Sequence, residues 1–458
     1  MKVKTPVQKN EKLTLNITDL TYEGMGVAKI DNYPLFIAGA LPGEKIEAVI
    51  VKTLKNFGYA RALKWLTSSP NRVEDDDNII QQTGITPLGH LKYKAQLEFK
   101  RNQIEQLLKK VHLDNIKVAL PIGAVHPYSY RNKAQVPVRE INGKLEVGFY
   151  RKGSHYFVPL KDFAIQDKRI DEILQIVLTI LNSYHLSAYD EKNQKGLIRH
   201  LMVRKGYYSN EVMVVIVTNG LKFPHANEIA QQIMKKCSDV KSVIQNINDH
   251  NTNVILGKQD ILLGGQNTIT DKLKGLKFKI SAHSFYQVNP AQTEILYQEA
   301  IKRAELTNNE TVIDAYCGIG TISLNLAAHA KKVYGVEILP EAIQDAKENA
   351  KLNNLNNIDF EVGTAEKWMA KWQAAGIKTD VIIVDPPRKG LTSSLIHSAT
   401  AMQPQKVIYV SCNPATLVRD IQEFQTAGYD VIQPILPVDQ FPQTPHVESV
   451  TVLERTDK

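Results

Sequence analysis

Short alternating runs of hydrophobic and polar residues characterise the first part of the chain. The stretches LTLNITDL and PLFIAGALPGEKIEAVIVKT alternate in the manner of β-strands, with glycine and proline marking the turns between runs. Several short strands in succession predict a small β-barrel over residues 1–67. Such barrels either serve as plain scaffolds or bind single-stranded nucleic acid through cations and aromatic rings. The candidate residues for such binding are Lys52, Lys55, Phe57, Tyr59 and Arg61.

A longer segment, residues 68–284, combines helical and strand patterns. It begins with a polar loop at 68–78, and apolar residues at helical spacing then predict a helix within residues 91–112. Asn142 and Gly143 lie between two alternating runs, which predicts a tight β-hairpin. We therefore expect a β-rich α+β domain in the middle of the chain.

Strands and helices alternate regularly from residue 285 to residue 458. Repeated units of this kind predict an α/β domain with a doubly wound, mostly parallel sheet. Its ligand is expected at the carboxyl ends of the strands. The strand candidates are TVIDAYC, KVYGVEI, IDFEVGT, DVIIVDPP and KVIYVSC.

Composition places the chain among ordinary globular proteins. It has 458 residues, of which 43% are hydrophobic and 23% charged, and this excludes a largely disordered or fibrous protein. The most apolar helical stretch, residues 173–181, is too short to span a bilayer, and the first residues lack the apolar core of a secretory signal. Three cysteines without a CxxC pair argue against a disulfide framework or a metal site. We expect a soluble cytoplasmic protein with no membrane partner.

Charge is distributed unevenly along the chain. The net charge is +4 over residues 1–66, +10 over residues 67–290 and −6 over residues 291–458. A basic surface attracts polyanions from a distance, so the first two thirds of the chain favour a nucleic-acid partner. Arg131 and Lys133 belong to the basic, strand-rich part of the middle segment.

The turn DAYCGIGT, residues 314–321, is the candidate cofactor site. Gly318 and Gly320 allow the backbone to approach a ligand closely at the start of a helix. Glu337 ends the next strand 19 residues after Gly318, a spacing at which a carboxylate reaches a ribose hydroxyl. The turn has only G-x-G and not the full dinucleotide motif, which favours a nucleoside ligand such as S-adenosylmethionine. Asp385, at another strand end, points to the same crevice.

Cys412 and Glu448 are the candidate reactive side chains. A lone cysteine usually packs in a core as a small apolar group, but Cys412 ends a predicted buried strand on the ligand side of the sheet. Glu448 begins the last predicted strand, where an ordinary strand-edge carboxylate would also be unremarkable. A thiolate nucleophile and a carboxylate base in one crevice suit addition–elimination chemistry on a pyrimidine.

Five motifs in a fixed order connect these features. Together they resemble the RNA (uracil-C5)-methyltransferases, and most closely the bacterial 23S rRNA branch. The resemblance covers nearly the whole chain, because residues 1–67 resemble the TRAM domain, an OB-like RNA-binding barrel. The motifs are FYQVNP, DAYCGIGT, DPPRKG, SCNPATLVRD and FPQTPHVESV.

The resemblance implies a Rossmann-like methyltransferase domain and a role for each matching residue. Cys412 is then the nucleophile that adds to C6 of uracil, and Glu448 is the base that removes the proton from C5. Phe285 holds the target base, which must be flipped out of its stack. Independently of the resemblance, the basic middle segment predicts Arg131 and Lys133 as RNA contacts. The implied S-adenosylmethionine contacts are Gln287, Tyr316, Gly318, Thr321, Glu337 and Asp385.

One departure from the family stands out. Many relatives hold an iron–sulfur cluster with four cysteines between the barrel and the middle domain. Residues 81–94 contain no cysteine here, so neither a cluster nor another metal is expected. The family also suggests a monomer.

Four alternatives remain. The target uridine could lie in the T loop of tRNA instead of 23S rRNA. An amino-methyltransferase would need an aromatic residue at the position of Arg388, and a cytosine-C5 enzyme would need a cysteine near 386–388. A non-catalytic RNA-binding assembly factor would not require Cys412 and Glu448.

Overall fold

Three large β-sheets organise the chain in the computed structural model, which describes residues 5–73 and 83–456. Six strands form the first sheet, seven the second and eight the third, within these residues. Part of the loop predicted at 68–78 lies outside the described residues, from position 74 onwards. None of the described helices is both long and apolar enough to cross a membrane.

The first sheet confirms the predicted N-terminal barrel. Its strands follow the order β1-β5-β6-β4-β3-β2. Leu35, Ile37, Ile46 and Ile50 are fully buried in a core that this barrel has to itself. The strands are β1 (Lys12–Asn16), β2 (Asp19–Leu20), β3 (Gly26–Ile30), β4 (Tyr33–Ile37), β5 (Lys45–Thr53) and β6 (Gly58–Thr67).

The second sheet forms the middle of the molecule, in the order β13-β12-β11-β10-β7-β8-β9. The first two strands of this sheet in chain order are joined by a tight turn, in which Asn142 and Gly143 have φ angles of 50° and 74°. This turn confirms the predicted hairpin. The strands are β7 (Lys133–Ile141), β8 (Lys144–Tyr150), β9 (Phe157–Pro159), β10 (Ile198–Lys205), β11 (Val212–Thr218), β12 (Val240–Ile247) and β13 (Gln259–Gly265). The helices of this region are α1 (Tyr93–Lys110), α2 (Lys168–Ser183) and α3 (Ala226–Lys236).

Both faces of the middle sheet are covered. Every residue of β11, VMVVIVT, is buried. Val214 and Ile216 face α2 and α3, whereas Met213 and Val215 join the core shared with the C-terminal part of the chain. The continuous apolar run of this strand therefore results from burial on two sides.

The third sheet confirms the predicted Rossmann-like α/β fold, with the order β18-β17-β16-β19-β20-β23-β21 and β22 paired to β23. Strands β16 to β20 are parallel, and β23 runs antiparallel beside β20. A separate hairpin before this sheet consists of β14 (Ile269–Leu273) and β15 (Leu276–Ile280). The strands of the third sheet are β16 (Thr311–Asp314), β17 (Lys332–Glu337), β18 (Ile358–Val362), β19 (Val381–Val384), β20 (Lys406–Ser411), β21 (Tyr429–Val431), β22 (Leu436–Val438) and β23 (Glu448–Arg455). The helices are α4 (Pro290–Ala304), α5 (Thr321–Ala327), α6 (Pro340–Leu352), α7 (Ala365–Ala374), α8 (Ser393–Ala401) and α9 (Pro414–Thr426).

Helix α1 packs away from the segment to which the sequence assigns it. Its residues Ile104 and Leu108 belong to the core on one face of the third sheet, together with residues of α9. The division of the chain at residues 67 and 284 therefore remains a prediction about domains, and the packing joins α1 to the C-terminal sheet.

Candidate active site

The turn after β16 leaves open space next to its backbone. Gly318 and Gly320 have φ angles of 53° and 86°, a left-handed conformation that favours glycine. A Cβ atom at Gly320 would lie 2.6 Å from Leu324 Cδ1, whereas a Cβ atom at Gly318 would meet nothing within 4 Å. A ligand can therefore approach the backbone at Gly318, while Gly320 lets helix α5 start close to the sheet.

Asp314 stabilises this turn through a buried hydrogen bond to helix α5. It is fully buried, and its Oδ2 accepts a hydrogen bond of 2.5 Å from the Ser323 hydroxyl in α5. Burial raises the pKa of Asp314 to about 6, and the nearby charge of Glu337 acts in the same direction. We interpret Asp314 as a structural residue that fixes the glycine turn.

Glu337 ends β17 beside the turn. Its Oε1 accepts hydrogen bonds from the backbone N–H groups of Ile338 (2.7 Å) and Leu339 (3.2 Å), and its Oε2 has no hydrogen-bond partner among the described residues. Ile338 and Leu339 are 62% and 57% exposed, which is unusual for large apolar side chains. A carboxylate oxygen beside an apolar surface fits a nucleoside, whose ribose hydroxyls donate and whose base needs apolar contact.

Three further candidates for cofactor binding lie near Tyr297, namely Gln287, Thr321 and Asp385. Gln287 and Thr321 line one small cavity with this tyrosine, whose hydroxyl lies 3.2 Å from Thr321 Oγ1. Burial raises the pKa of Tyr297, and the charge of Asp385 adds to that effect. Tyr316 is half-buried in the glycine turn. The structure thus brings all the predicted cofactor contacts to one edge of the third sheet.

Strand pairing brings Cys412 and Glu448 together. Ser411 in β20 pairs with Ser449 in the antiparallel strand β23, and extending this register by one residue places Cys412 opposite Glu448. Asp385 follows directly after β19, the other neighbour of β20. Cys412 Sγ lies 3.9 Å from the carbonyl oxygen of Pro386, the residue after Asp385. Three chain segments that are distant in sequence therefore converge on one pocket.

This pocket is partly buried and rich in acidic groups. Burial, followed by the charges of Glu448 and Asp385, raises the pKa of the Cys412 thiol to about 12. Glu448 is only 4% exposed, and burial together with Asp385 raises its pKa well above the usual range. Burial and Asp314 raise the pKa of Asp385 to about 7. The carboxyl groups here accept protons readily, as acid–base catalysis requires.

Arg388 and His446 belong to the same pocket, although the sequence patterns do not predict them as site residues. The positive charge of Arg388 opposes the rise in pKa at both Cys412 and Glu448. Its guanidinium lies 3.3 Å from His446 Nε2, and Asn413 Nδ2 donates a hydrogen bond of 2.8 Å to its backbone carbonyl. The available signal was their position inside the motifs DPPRKG and FPQTPHVESV.

The predicted RNA contacts Phe285, Arg131 and Lys133 lie on two neighbouring segments of the chain. Phe285 is 70% exposed, which is rare for a phenylalanine and suits stacking on a base. The Asn132 N–H donates to Val288 O (2.9 Å), so the strand with Arg131 and Lys133 lies beside the motif that contains Phe285. Lys133 has no ion-pair partner in the described part of the chain, and burial with two nearby arginines lowers its pKa to about 7. A bound phosphate would offset the charges of the two arginines and favour the protonated form of Lys133.

Metal ligands are not grouped anywhere in residues 5–73 and 83–456: no cluster of three His, Cys, Asp or Glu side chains there could hold a metal ion. The cysteine-free stretch at residues 81–94 is described from residue 83 onwards, and positions 81 and 82 lie outside the described residues.

Comparison with known families divides the chain into two matching parts. Residues 92–456 match the family described as tRNA (Uracil-5-)-methyltransferase. Residues 6–63 match the TRAM domain. The two matches together account for the barrel, the middle sheet and the Rossmann-like sheet.

Individual relatives match over almost the full length. A protein of Lactiplantibacillus plantarum named an uncharacterized RNA methyltransferase is 56% identical over 99% of this chain and 100% of its own. One of the same description from Enterococcus faecalis is 49% identical over 98% of both chains. Among solved structures, the Pyrococcus abyssi tRNA (uracil-54, C5)-methyltransferase in complex with S-adenosyl-L-homocysteine superposes with a TM-score of 0.77, at 26% identity over 96% of this chain and 99% of that one.

Proposed function

The chain belongs to the tRNA (uracil-5-)-methyltransferase family, and on this premise we propose that it methylates C5 of specific uridines in 23S rRNA. The observation that carries the proposal is the convergence of Cys412, Glu448 and Asp385 in one pocket beside the glycine turn. A half-buried thiol and a buried carboxyl on facing strand ends suit addition to C6 of a pyrimidine and removal of a proton from C5. We further propose that the protein acts as a monomer in the cytoplasm.

S-Adenosylmethionine is the cofactor, and when bound it supplies an electrophilic methyl group for C5. Glu337 would accept hydrogen bonds from the ribose through its Oε2, and Ile338 and Leu339 would contact the adenine. The open space at Gly318 gives the ligand access to the turn. The remaining residues that would hold it are Gln287, Tyr316, Thr321 and Asp385.

Cys412 begins the reaction on the uridine. Its Sγ forms a bond to C6, and the electron pair of the C5–C6 double bond moves to C5 and O4 as an enolate, which makes C5 nucleophilic. The thiol must first lose its proton, and its raised pKa opposes this step. Arg388 is the neighbouring cation that favours the thiolate.

Glu448 ends the reaction. After C5 carries the methyl group, its carboxylate takes the C5 proton, the C5–C6 double bond reforms and the C6–Sγ bond breaks, which releases the Cys412 thiolate. A carboxyl group with a raised pKa is a stronger base than an ordinary glutamate. Its place opposite Cys412 puts the proton acceptor and the leaving thiolate beside the same ring.

RNA has to present a single flipped uridine, because neither C5 nor C6 can be attacked inside a stack. The exposed ring of Phe285 would stack on that base, and the side chains of Arg131 and Lys133 would contact phosphates next to it.

The N-terminal barrel offers a second surface for RNA. Phe36, Phe57 and Tyr59 form a cluster on its outside, with ring centroids 5.4–5.9 Å apart. Lys52 pairs with Tyr59 across the strands and is exposed, so a cation flanks the rings. Aromatic rings flanked by cations are the usual means by which barrels of this size bind single strands.

A tRNA T-loop uridine is the second candidate substrate. It is favoured by the full-length match to the archaeal tRNA (uracil-54, C5)-methyltransferase. The proposal of 23S rRNA is supported by the resemblance of the five motifs to the bacterial rRNA branch and by the basic first two thirds of the chain.

Nucleoside mass spectrometry tests the proposal. Unmethylated 23S rRNA and unmethylated tRNA are each incubated with the purified protein and S-adenosylmethionine, digested and analysed. We expect new 5-methyluridine in the rRNA alone, and fragment mapping would then give its positions. 5-Methyluridine in tRNA alone would replace the substrate by the second candidate, and methylated adenosine or cytidine would contradict the reaction.

A further inference from the structure

Residues 439–447, which we term the base loop, connect β22 to β23 and lead directly into Glu448. The backbone carbonyls of this loop accept hydrogen bonds from groups outside it. These bonds run from Gln292 Nε2 to Asp439 O (3.1 Å), from Asn289 Nδ2 to Gln440 O (3.0 Å), from Lys100 Nζ to Phe441 O (3.0 Å), from Tyr130 OH to Pro442 O (3.1 Å), from Leu88 N to Gln443 O (3.0 Å) and from Gln103 Nε2 to Pro445 O (3.1 Å).

Buried side chains fix the base loop to helix α1. Asp439 is fully buried and forms an ion pair with Lys100, which is also fully buried, and it accepts a hydrogen bond of 2.7 Å from the Tyr93 hydroxyl. Gln443 forms a pair of hydrogen bonds with Gln96, at 2.8 Å and 3.0 Å. The attachment to α1 is therefore polar, buried and made at more than one point.

The other side of the loop is fixed to helix α4. Gln440 is fully buried, and its Nε2 donates to Thr293 Oγ1 at 2.7 Å. Asn289, the residue before α4, follows closely after Phe285 and Gln287 in the chain. Helix α1 therefore holds the base loop on one side, and helix α4 holds it on the other. Helix α4 begins shortly after the predicted substrate residue Phe285 and the predicted cofactor residue Gln287.

A buried ion pair contributes little net stability compared with apolar residues of the same shape, because both charges lose their hydration. Its geometry is nevertheless specific, since each partner is costly to leave unpaired. Catalysis depends on such geometry, because a displacement of about 1 Å at a reacting group can lower the rate by roughly a hundredfold. The attachment of the loop to α1 should therefore affect mainly the position of Glu448, which follows the loop directly.

We propose that helix α1 is a positioning element for the catalytic base, acting through Gln96, Lys100 and Gln103 on the base loop. The inference rests on the proposed role of Glu448. When the loop is loosened, Cys412 still adds to C6, but transfer of the C5 proton to Glu448 slows. The C6–Sγ bond then persists, and enzyme linked to methylated RNA accumulates.

Two variants loosen the loop to different degrees. Gln103→Ala removes one hydrogen bond to Pro445, three residues before Glu448, from a half-buried side chain. The double variant Lys100→Met with Asp439→Asn removes both buried charges together and leaves none unpaired. Gln106→Ala is the matched control, because Gln106 is an exposed glutamine one turn further along the same helix.

The measurements are kcat, the KM values for RNA and S-adenosylmethionine, and the fraction of enzyme linked to RNA on a denaturing gel. We expect kcat to fall about tenfold in Gln103→Ala and further in the double variant, with neither KM value raised and the linked fraction increased. The Gln106→Ala control should match the parent protein. A merely structural role would lower turnover and the linked fraction together, and that result would overturn the inference.

The variant Glu448→Gln separates the two levels of the proposal. It is expected to accumulate more linked RNA than any α1 variant. If Glu448→Gln accumulates linked RNA but the α1 variants do not, the positioning role is wrong and the proposed function stands. If Glu448→Gln accumulates none, the role of the base is wrong and the positioning role is wrong with it.

Discussion

Two stretches along one edge of the third sheet differ sharply in character. At the ends of β16 and β17, Glu337 keeps one carboxylate oxygen without a partner among the described residues, and Ile338 and Leu339 face solvent. At the ends of β19 and β20, Cys412 and Asp385 lie in a desolvated pocket with raised pKa values. We term these the cofactor edge and the reactive edge.

The difference arises from what covers each edge. At the cofactor edge, the glycine turn leaves room for a ligand beside Gly318. The reactive edge is covered by β23, which runs antiparallel beside β20, and by the base loop before it. The same sheet thus provides an open binding surface at the ends of two strands and a more buried acid–base pocket at the ends of the next two. Substitutions at the two edges should therefore affect different kinetic quantities.

The largest effect is expected at the reactive edge. Cys412→Ala removes the nucleophile, and turnover should fall by about a thousandfold or more while RNA still binds. Turnover is measured by transfer of labelled methyl groups and binding by gel shift. Cys237→Ala, which alters a buried cysteine at the end of α3, is the control and should remain active. Loss of RNA binding together with turnover would contradict the role of Cys412.

A smaller effect of a different kind is expected at the cofactor edge. Glu337→Ala removes a charged hydrogen-bond acceptor, and the KM for S-adenosylmethionine should rise by roughly ten- to a hundredfold with a much smaller change in kcat. The exposed neighbour Glu341 provides the control variant Glu341→Gln. A fall in kcat at unchanged KM would show that the two edges do not divide the work in this way.

The pH dependence distinguishes the edges further. The pKa of Cys412 is raised to about 12, so the thiolate fraction increases with pH throughout the neutral range. The rate of covalent attachment to RNA should rise by about tenfold per pH unit between pH 7 and pH 9, measured by rapid quenching at saturating cofactor. The affinity for S-adenosylmethionine should change far less, and mainly near pH 7, where Asp385 loses its proton. A rate that is independent of pH would mean that the thiolate already exists before attack.

The smallest effect is expected far from both edges, on the barrel. Lys52→Ala removes one exposed cation beside the aromatic cluster, so RNA affinity should fall by a few fold and the slope of log affinity against log salt should decrease by about one. Lys235→Ala, at an exposed position of α3, is the matched control. Equal effects of both variants would mean that the barrel acts only through its net charge.

Local patterns in the sequence predicted the elements and many of their ends. The Asn142-Gly143 turn and the strand that ends at Glu337 follow from residue chemistry that acts over a few positions. The same patterns place Cys412 at a strand end, because a short apolar run followed by Asn413 and Pro414 can only stop there. This part of the fold is encoded locally.

Long-range contacts could not be predicted in this way. The bonds between Gln96 and Gln443 join positions 347 residues apart, and nothing in the helical pattern of α1 indicates which sheet it covers. Arg388 stands in a recognised motif, yet its effect on Cys412 depends on two strand ends meeting in space. The hydrophobic pattern of a segment predicts a helix or a strand, whereas tertiary packing determines which other elements that helix or strand contacts.

The central claim is that Cys412 bonds to the target uridine while Glu448 removes the proton from C5. RNA that contains 5-fluorouridine tests it most directly, because fluorine at C5 cannot leave as a cation and the adduct persists. After reaction with S-adenosylmethionine and proteolysis, mass spectrometry should find the methylated fluorouridine attached to the peptide that contains Cys412. Attachment to another residue, or release of methylated product without any adduct, would contradict the account.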